Sequence, residues 1–123
     1  MNPHICFAGC AREAVEFYQS VFGGEAHFVL VGDRDHFGLP PEAIFHAELR
    51  SEHYTLLAAD GPEAQAGRIS LHVLCTDREE LERYFAGLSA GVSVHCTICE
   101  AFGGLFAMVS DRFGVSWYLT LTE

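Results

Sequence analysis

Read by its hydrophobic periodicity, the sequence passes through one order of elements twice. An alternating run at 4–7 precedes a helical stripe at 11–22, and further alternating runs follow at 27–31, 44–50 and 54–59. The second half begins again with a strand pattern at 69–75 and a helix at 78–90, followed by strands at 92–97, 105–110 and 116–122. The pattern is βαβββ followed by βαβββ, and the expected fold class is α+β. With 123 residues and no Pro/Ser linker or charge block, the expectation is one domain over 1–123, with module one at about 1–62 and module two at about 67–123.

The helical segments carry their own start and stop chemistry. Ala14, Val15, Tyr18, Val21 and Phe22 recur at helical spacing, Arg12 and Glu16 form an i,i+4 pair, and Gly23-Gly24 supplies the stop. In the second helix Thr76 is placed to act as N-cap with Glu79 three residues on, and Leu81, Tyr84, Phe85 and Leu88 form one apolar stripe before Gly91. Both stripes read as core. Ser51-Glu52-His53 reads as a hairpin turn, and residues 32–41 form the one long loop. Asp111-Arg112-Phe113-Gly114 reads as the turn between the last two strands, with Gly114 supplying positive φ, Asp111 capping local amides and Trp117 packed in the core or at an interface. Gly103-Gly104 is read as a loop, since no phosphate-binding helix follows it.

Charge narrows the partners. Seventeen acids stand against seven bases, all arginine, for a formal charge of -10. Nucleic-acid affinity comes mainly from Lys and Arg displacing counterions from phosphates, so nucleic acid is not an expected partner. No apolar run approaches the roughly 20 residues of a membrane span, and Met1-Asn2-Pro3-His4 does not open a secretion signal, so the expectation is a cytoplasmic protein with no membrane partner. Five cysteines, Cys6, Cys10, Cys75, Cys96 and Cys99, are an odd number and are read as buried, unreactive thiols. The run His95-Cys96-Thr97-Ile98-Cys99 lacks the second ligand pair that zinc requires, and its two thiols are read as unpaired.

The segment Phe7-Ala8-Gly9-Cys10-Ala11-Arg12-Glu13-Ala14-Val15-Glu16-Phe17-Tyr18, followed by Val21-Phe22-Gly23-Gly24, resembles the opening of PhnB-like proteins in the vicinal oxygen chelate (glyoxalase/bleomycin resistance/dioxygenase) superfamily. Phe45-His46-Ala47-Glu48-Leu49, Ile69-Ser70-Leu71 and above all Met108-Val109-Ser110-Asp111-Arg112-Phe113-Gly114-Val115-Ser116-Trp117 extend the resemblance across the chain. It implies paired βαβββ modules whose curved mixed sheet forms a cup, and a homodimer. It also implies that a metal-dependent member would hold its ion with four His or Glu side chains. Those positions fall here near Asn2 or Pro3, near Leu57, near Ser70, and at Tyr118. None is His or Glu, so no metal and no other cofactor is expected. The demethylubiquinone methyltransferase label of some relatives implies S-adenosylmethionine, for which no Gly-rich loop follows a strand here.

Strand alternation supplies a different set of candidates. If the apolar faces, such as that of Phe45, Ala47 and Leu49, pack on the helices, His4, Cys6, His46, Glu48, Ser70, His72 and Tyr118 look into the cup as ligand-binding residues. Isolated polar residues in a wet cavity, or a shifted metal site of His4, His46 and His72, remain open readings of the same positions. The catalytic residues are unknown at this point. The leading functional expectation is a metal-free small-molecule-binding protein of the PhnB-like branch. The alternatives are an enzyme using cavity histidines, with or without a divalent metal, and a structural or regulatory dimer whose cup is empty.

Overall fold

The computed structural model describes residues 1–52, 54–62, 69–92, 97–101 and 103–122. The chain forms two compact units, Met1–Gln65 and Ala66–Glu123. The first holds β1 (His4–Phe7), α1 (Ala11–Phe22), β2 (Glu25–Leu30), β3 (Ile44–Arg50) and β4 (Thr55–Asp60). Its sheet has the order β1-β4-β3-β2, with β1 parallel to β4 and the other pairs antiparallel. The second holds β5 (Ser70–Leu74), α2 (Arg78–Leu88), β6 (Cys99–Ala101), β7 (Gly104–Ser110) and β8 (Ser116–Thr122), in the order β5-β8-β7-β6. The chain is α+β, and its described residues form two four-stranded mixed sheets with one helix each.

Alternation decides which face of each sheet the helix covers. In the second unit Val73, Leu105, Ala107, Val109, Trp117 and Leu119 are buried on one face, where α2 brings Leu81, Tyr84 and Leu88. In the first unit Ala47, Leu49, Leu56 and Ala58 meet Ala14, Val15 and Tyr18 of α1. Each large side chain buried this way contributes about 1.5–3 kcal/mol. The stop after α1 is backbone chemistry: Gly23 and Gly24 have φ of 75° and 95°, and a Cβ on Gly24 would run into the Arg50 carbonyl oxygen.

Two buried aspartates complete the units. Asp60, at the end of β4, accepts from Ala11 N–H at 2.9 Å and from Ile44 N–H at 2.9 Å, joining the start of α1 to the start of β3. Its own carbonyl is 2.9 Å from His36 Nε2 in the long loop. Asp111 begins the β7–β8 turn and accepts from Phe113 N–H, Val115 N–H and, at 2.8 Å, the indole Nε1–H of Trp117. Gly114 has φ of 83°, as the turn requires. Trp117 is therefore a core residue whose polar edge is spoken for.

Several expectations are corrected. The helix α2 is capped by Asp77, not Thr76: the Asp77 side chain accepts from Glu80 N–H at 2.8 Å, and Glu80 reaches back to Thr76 N–H. Asp and Thr are both competent caps, and the extended backbone at Asp77 selects the later one. Ile69 lies outside β5 and is exposed. Phe45 is also exposed, because the register shifts between Val29 and Leu30 and Leu30 pairs with Ile44. Of the strand expected at 92–97, residues 93–96 lie outside the described residues, Thr97 is not in a strand, and β6 begins at Cys99. Only Cys75 among the described cysteines is buried; Cys6, Cys10 and Cys99 are half-buried. Cys96 lies outside the described residues.

Replacing Asp111 by Ala removes the shared acceptor of the indole N–H and the two turn amides. The expected cost is about 2–4 kcal/mol in denaturant unfolding, with a change in Trp117 emission, and a loss below about 0.5 kcal/mol would contradict the buried network. Burial, with Glu80 and Asp77 adding negative potential, pushes the Cys75 thiol up from 9.0 to about 11. A group raised in the folded state favours folding fully below its unfolded pKa and loses that contribution as pH climbs through the folded one. Stability is thus expected to fall between pH 9 and 11, and Cys75→Val to flatten that part of the profile. Iodoacetamide at pH 8 is expected to label Cys75 last of the four described thiols, as read by peptide mass spectrometry.

Candidate functional site

One helix covers one face, so each sheet presents a second face built from the alternate positions. On the first sheet a row crosses from His4 on β1 to Leu57 on β4, Glu48 on β3 and His27 on β2. Cys6 pairs with Ala59 and His46 with Val29 beside that row. His4 is exposed, and Cys6, His46 and Glu48 are half-buried. Cys6 Sγ is 3.9 Å from His4 Nδ1. Glu48 pairs with Arg50 Nε at 2.8 Å, and His27 lies 3.7 Å from Glu25, so this face is charged.

The open face of the second sheet differs in chemistry. Ser70 lies opposite Ser116, and Ser116 opposite Ser110. Next comes the row His72, Tyr118 and Met108, and then Leu74, Thr120 and Phe106. His72 Nε2 and Thr120 Oγ1 share a hydrogen bond of 2.6 Å. The His72 and Tyr118 rings lie 5.4 Å apart, and Tyr118 and Phe106 lie 6.1 Å apart. His72 is exposed, Tyr118, Thr120 and Phe106 are half-buried, and Leu74 and Met108 expose large apolar side chains.

The candidates thus fall into two groups: His4, Cys6, His46 and Glu48 share the open face of the first sheet, and Ser70, His72 and Tyr118 that of the second. Sequence reasoning missed Thr120, Phe106 and Met108, although each occupies the same alternation phase as Tyr118 or its cross-strand partner. It also missed His27, which stands opposite Glu48.

Three of the four positions that would carry a superfamily metal do not fit one. Leu57 places a hydrocarbon between His4 and Glu48, Ser70 faces a serine, and the Tyr118 ring lies tilted beside His72. Among the described residues no three His, Cys, Asp or Glu side chains converge as a metal set. The helix N-termini are likewise occupied. Asp60 takes the first amide of α1, and Asp77 with Glu80 closes the first turn of α2, so the chain's own carboxylates stand where an anion would bind. The thiol of Cys10, just before α1, is raised by burial and by the negative charges of Asp60 and Glu13. No helix among the described residues is long and apolar enough to cross a membrane.

Comparison with known proteins places this arrangement. Residues 1–120 match the model of the family described as 3-demethylubiquinone-9 3-methyltransferase. Protein PA1353 of Pseudomonas aeruginosa has a similar structure, with a TM-score of 0.86 and 29% identity over 99% of this chain and 96% of that one. The PhnB protein of Bacillus cereus gives a TM-score of 0.80 and 26% identity over 99% and 98%. The fosfomycin resistance protein FosX of Listeria monocytogenes shares the fold alone, with a TM-score of 0.68 and 11% identity over 100% and 92%. The match over nearly the whole chain makes this chain a member of the family described as 3-demethylubiquinone-9 3-methyltransferase, similar to the PhnB protein, and its paired βαβββ units have the fold of the glyoxalase-like proteins.

Proposed function

We propose that the chain is a metal-free small-molecule-binding protein that works as a homodimer in the cytoplasm and holds its ligand against an open sheet face. The observation that carries this reading is the cluster of His72, Thr120, Tyr118 and Phe106. There an imidazole, two hydroxyls and two aromatic rings lie on a face that no helix of their own unit covers. Ligand sites generally combine apolar and aromatic walls with a few placed polar groups. The free state of the four described cysteines suits a reducing compartment. On the other sheet, His4, Cys6, His46 and Glu48 offer a second polar surface, of charged character.

Methyl transfer, the activity in the family's description, requires a place for S-adenosylmethionine. The junction between β1 and α1, where a nucleotide-type fold opens a Gly-rich loop, has one glycine, Gly9, and its helix amide is taken by Asp60. It does not fit that group, and methyl transfer is not part of the reading.

Protein purified without a polyhistidine tag or chelating column is expected to contain no Zn, Ni, Mn or Fe at one ion per chain by plasma mass spectrometry. A stoichiometric ion lost on His72→Ala would replace this reading with a shifted metal site. Native mass spectrometry of the same protein is expected to show a co-purified small compound. His72→Ala should lose that compound while shifting stability by less than about 0.5 kcal/mol, because the ring is exposed. A stability loss of about 1–3 kcal/mol with the compound retained would make His72 structural. His46→Ala, measured alongside, tests the first sheet in the same way.

A further inference from the structure

The small-molecule reading leaves the chemical class of ligand open, and the second sheet narrows it. Across β5, β8 and the part of β7 that faces them, the open face carries no carboxylate, no guanidinium and no amine. The first sheet differs: its corresponding face holds Glu25, Glu48 and Arg50. An ionised ligand on the second sheet would lose water without meeting an opposite charge there, and an anion would also approach a chain of formal charge -10.

The groups present instead suit a flat, uncharged molecule. Tyr118 stands between His72 and Phe106, with its ring inclined by 37° to one and 55° to the other, and Met108 lies directly across from it. Aromatic rings and a thioether favour an aromatic guest over an aliphatic one of equal size. Two polar groups are left for it. His72 uses Nε2 toward Thr120, and among the described residues neither His72 Nδ1 nor the Tyr118 hydroxyl has a hydrogen-bond partner. The Thr120 hydroxyl both donates and accepts, so it suits either tautomer of His72 and lets Nδ1 serve as acceptor or donor.

We propose that the open face of the second sheet binds an uncharged aromatic compound bearing a hydrogen-bonding oxygen on its ring. The ring lies over Tyr118 and Phe106, and its oxygen is met by His72 and the Tyr118 hydroxyl. This inference rests on the small-molecule reading above and adds the ligand's class to it.

The test is a set of three probes built on one fused two-ring skeleton, added to the full, untagged, isotope-labelled chain at pH 7.5 and followed by amide chemical shifts. 2-Naphthol is neutral and aromatic, 2-naphthoate is aromatic and anionic, and decahydro-2-naphthol is neutral and saturated. The expected result is binding of 2-naphthol at least about tenfold tighter than either of the others, with shifts confined to β5, β7 and β8. Tyr118→Leu is expected to weaken it about tenfold, and Tyr118→Phe, which keeps the ring, by less. Equal binding of the anion or of the saturated alcohol overturns the proposal in the unmodified protein, whatever the variants do. A charged or aliphatic compound that co-purifies and shifts these same residues ends this inference and leaves the small-molecule reading standing. A face covered by a second copy, with no compound bound and no probe able to enter, ends both.

Discussion

A β-sheet has two faces, and among the described residues each unit of this chain has one helix with which to cover them. That constraint orders the rest of the structure. Leu105, Ala107, Val109, Trp117 and Leu119 are buried because α2 lies over their side of the second sheet, and α1 does the same for Ala47, Leu49 and Ala58 in the first. The alternate positions inherit the uncovered face, so their chemistry was free to be set by something other than core packing. Histidines, serines and threonine gather there, beside apolar side chains such as Leu74 and Met108 that packing by α2 does not shelter.

The two uncovered faces have diverged although the units repeat one topology. Glu48, Arg50, His27 and Glu25 give the first an ionic character, whereas hydroxyls, rings and a thioether give the second a neutral one. Elsewhere the chain consumes its own charged groups. Asp60 and Asp77 neutralise the positive ends of α1 and α2, and Asp111 serves a turn and the indole of Trp117. An acidic protein of this kind keeps few cationic positions for an anionic ligand, and the seven arginines are partly engaged in surface pairs such as Arg12 with Glu16 and Arg78 with Glu82.

Much of this was legible in the sequence because it rests on local periodicity. Helix α1 runs from Ala11 to Phe22 as its apolar spacing and the Gly-Gly stop indicate, and the Asp111 turn forms with the roles assigned to Asp111 and Gly114. Alternation also placed His72, Tyr118 and Ser70 on one face. What it could not supply is context. The exposure of Phe45 follows from a register shift against β2, a property of two strands and not of either alone. The choice of Asp77 over Thr76 turns on a backbone angle that two competent capping residues leave undecided. Thr120 and Phe106 belong with His72 only through pairing across β5, β8 and β7. His36 meets the Asp60 carbonyl from a loop, where no periodicity exists to place it.

Each unit is finished by joining its first strand to a strand that arrives much later. β1 pairs in parallel with β4, about fifty residues downstream, and β5 pairs in parallel with β8 across a similar span. The antiparallel pairs β3–β4 and β7–β8 need only short loop closures, so chain entropy favours their forming first and offering an edge to which the waiting strand is added. During synthesis β1 must therefore persist unpaired until β4 has emerged, with Ile5 and Phe7 exposed in the interval. Slow translation through residues 44–60 would lengthen that interval and with it the opportunity for aggregation.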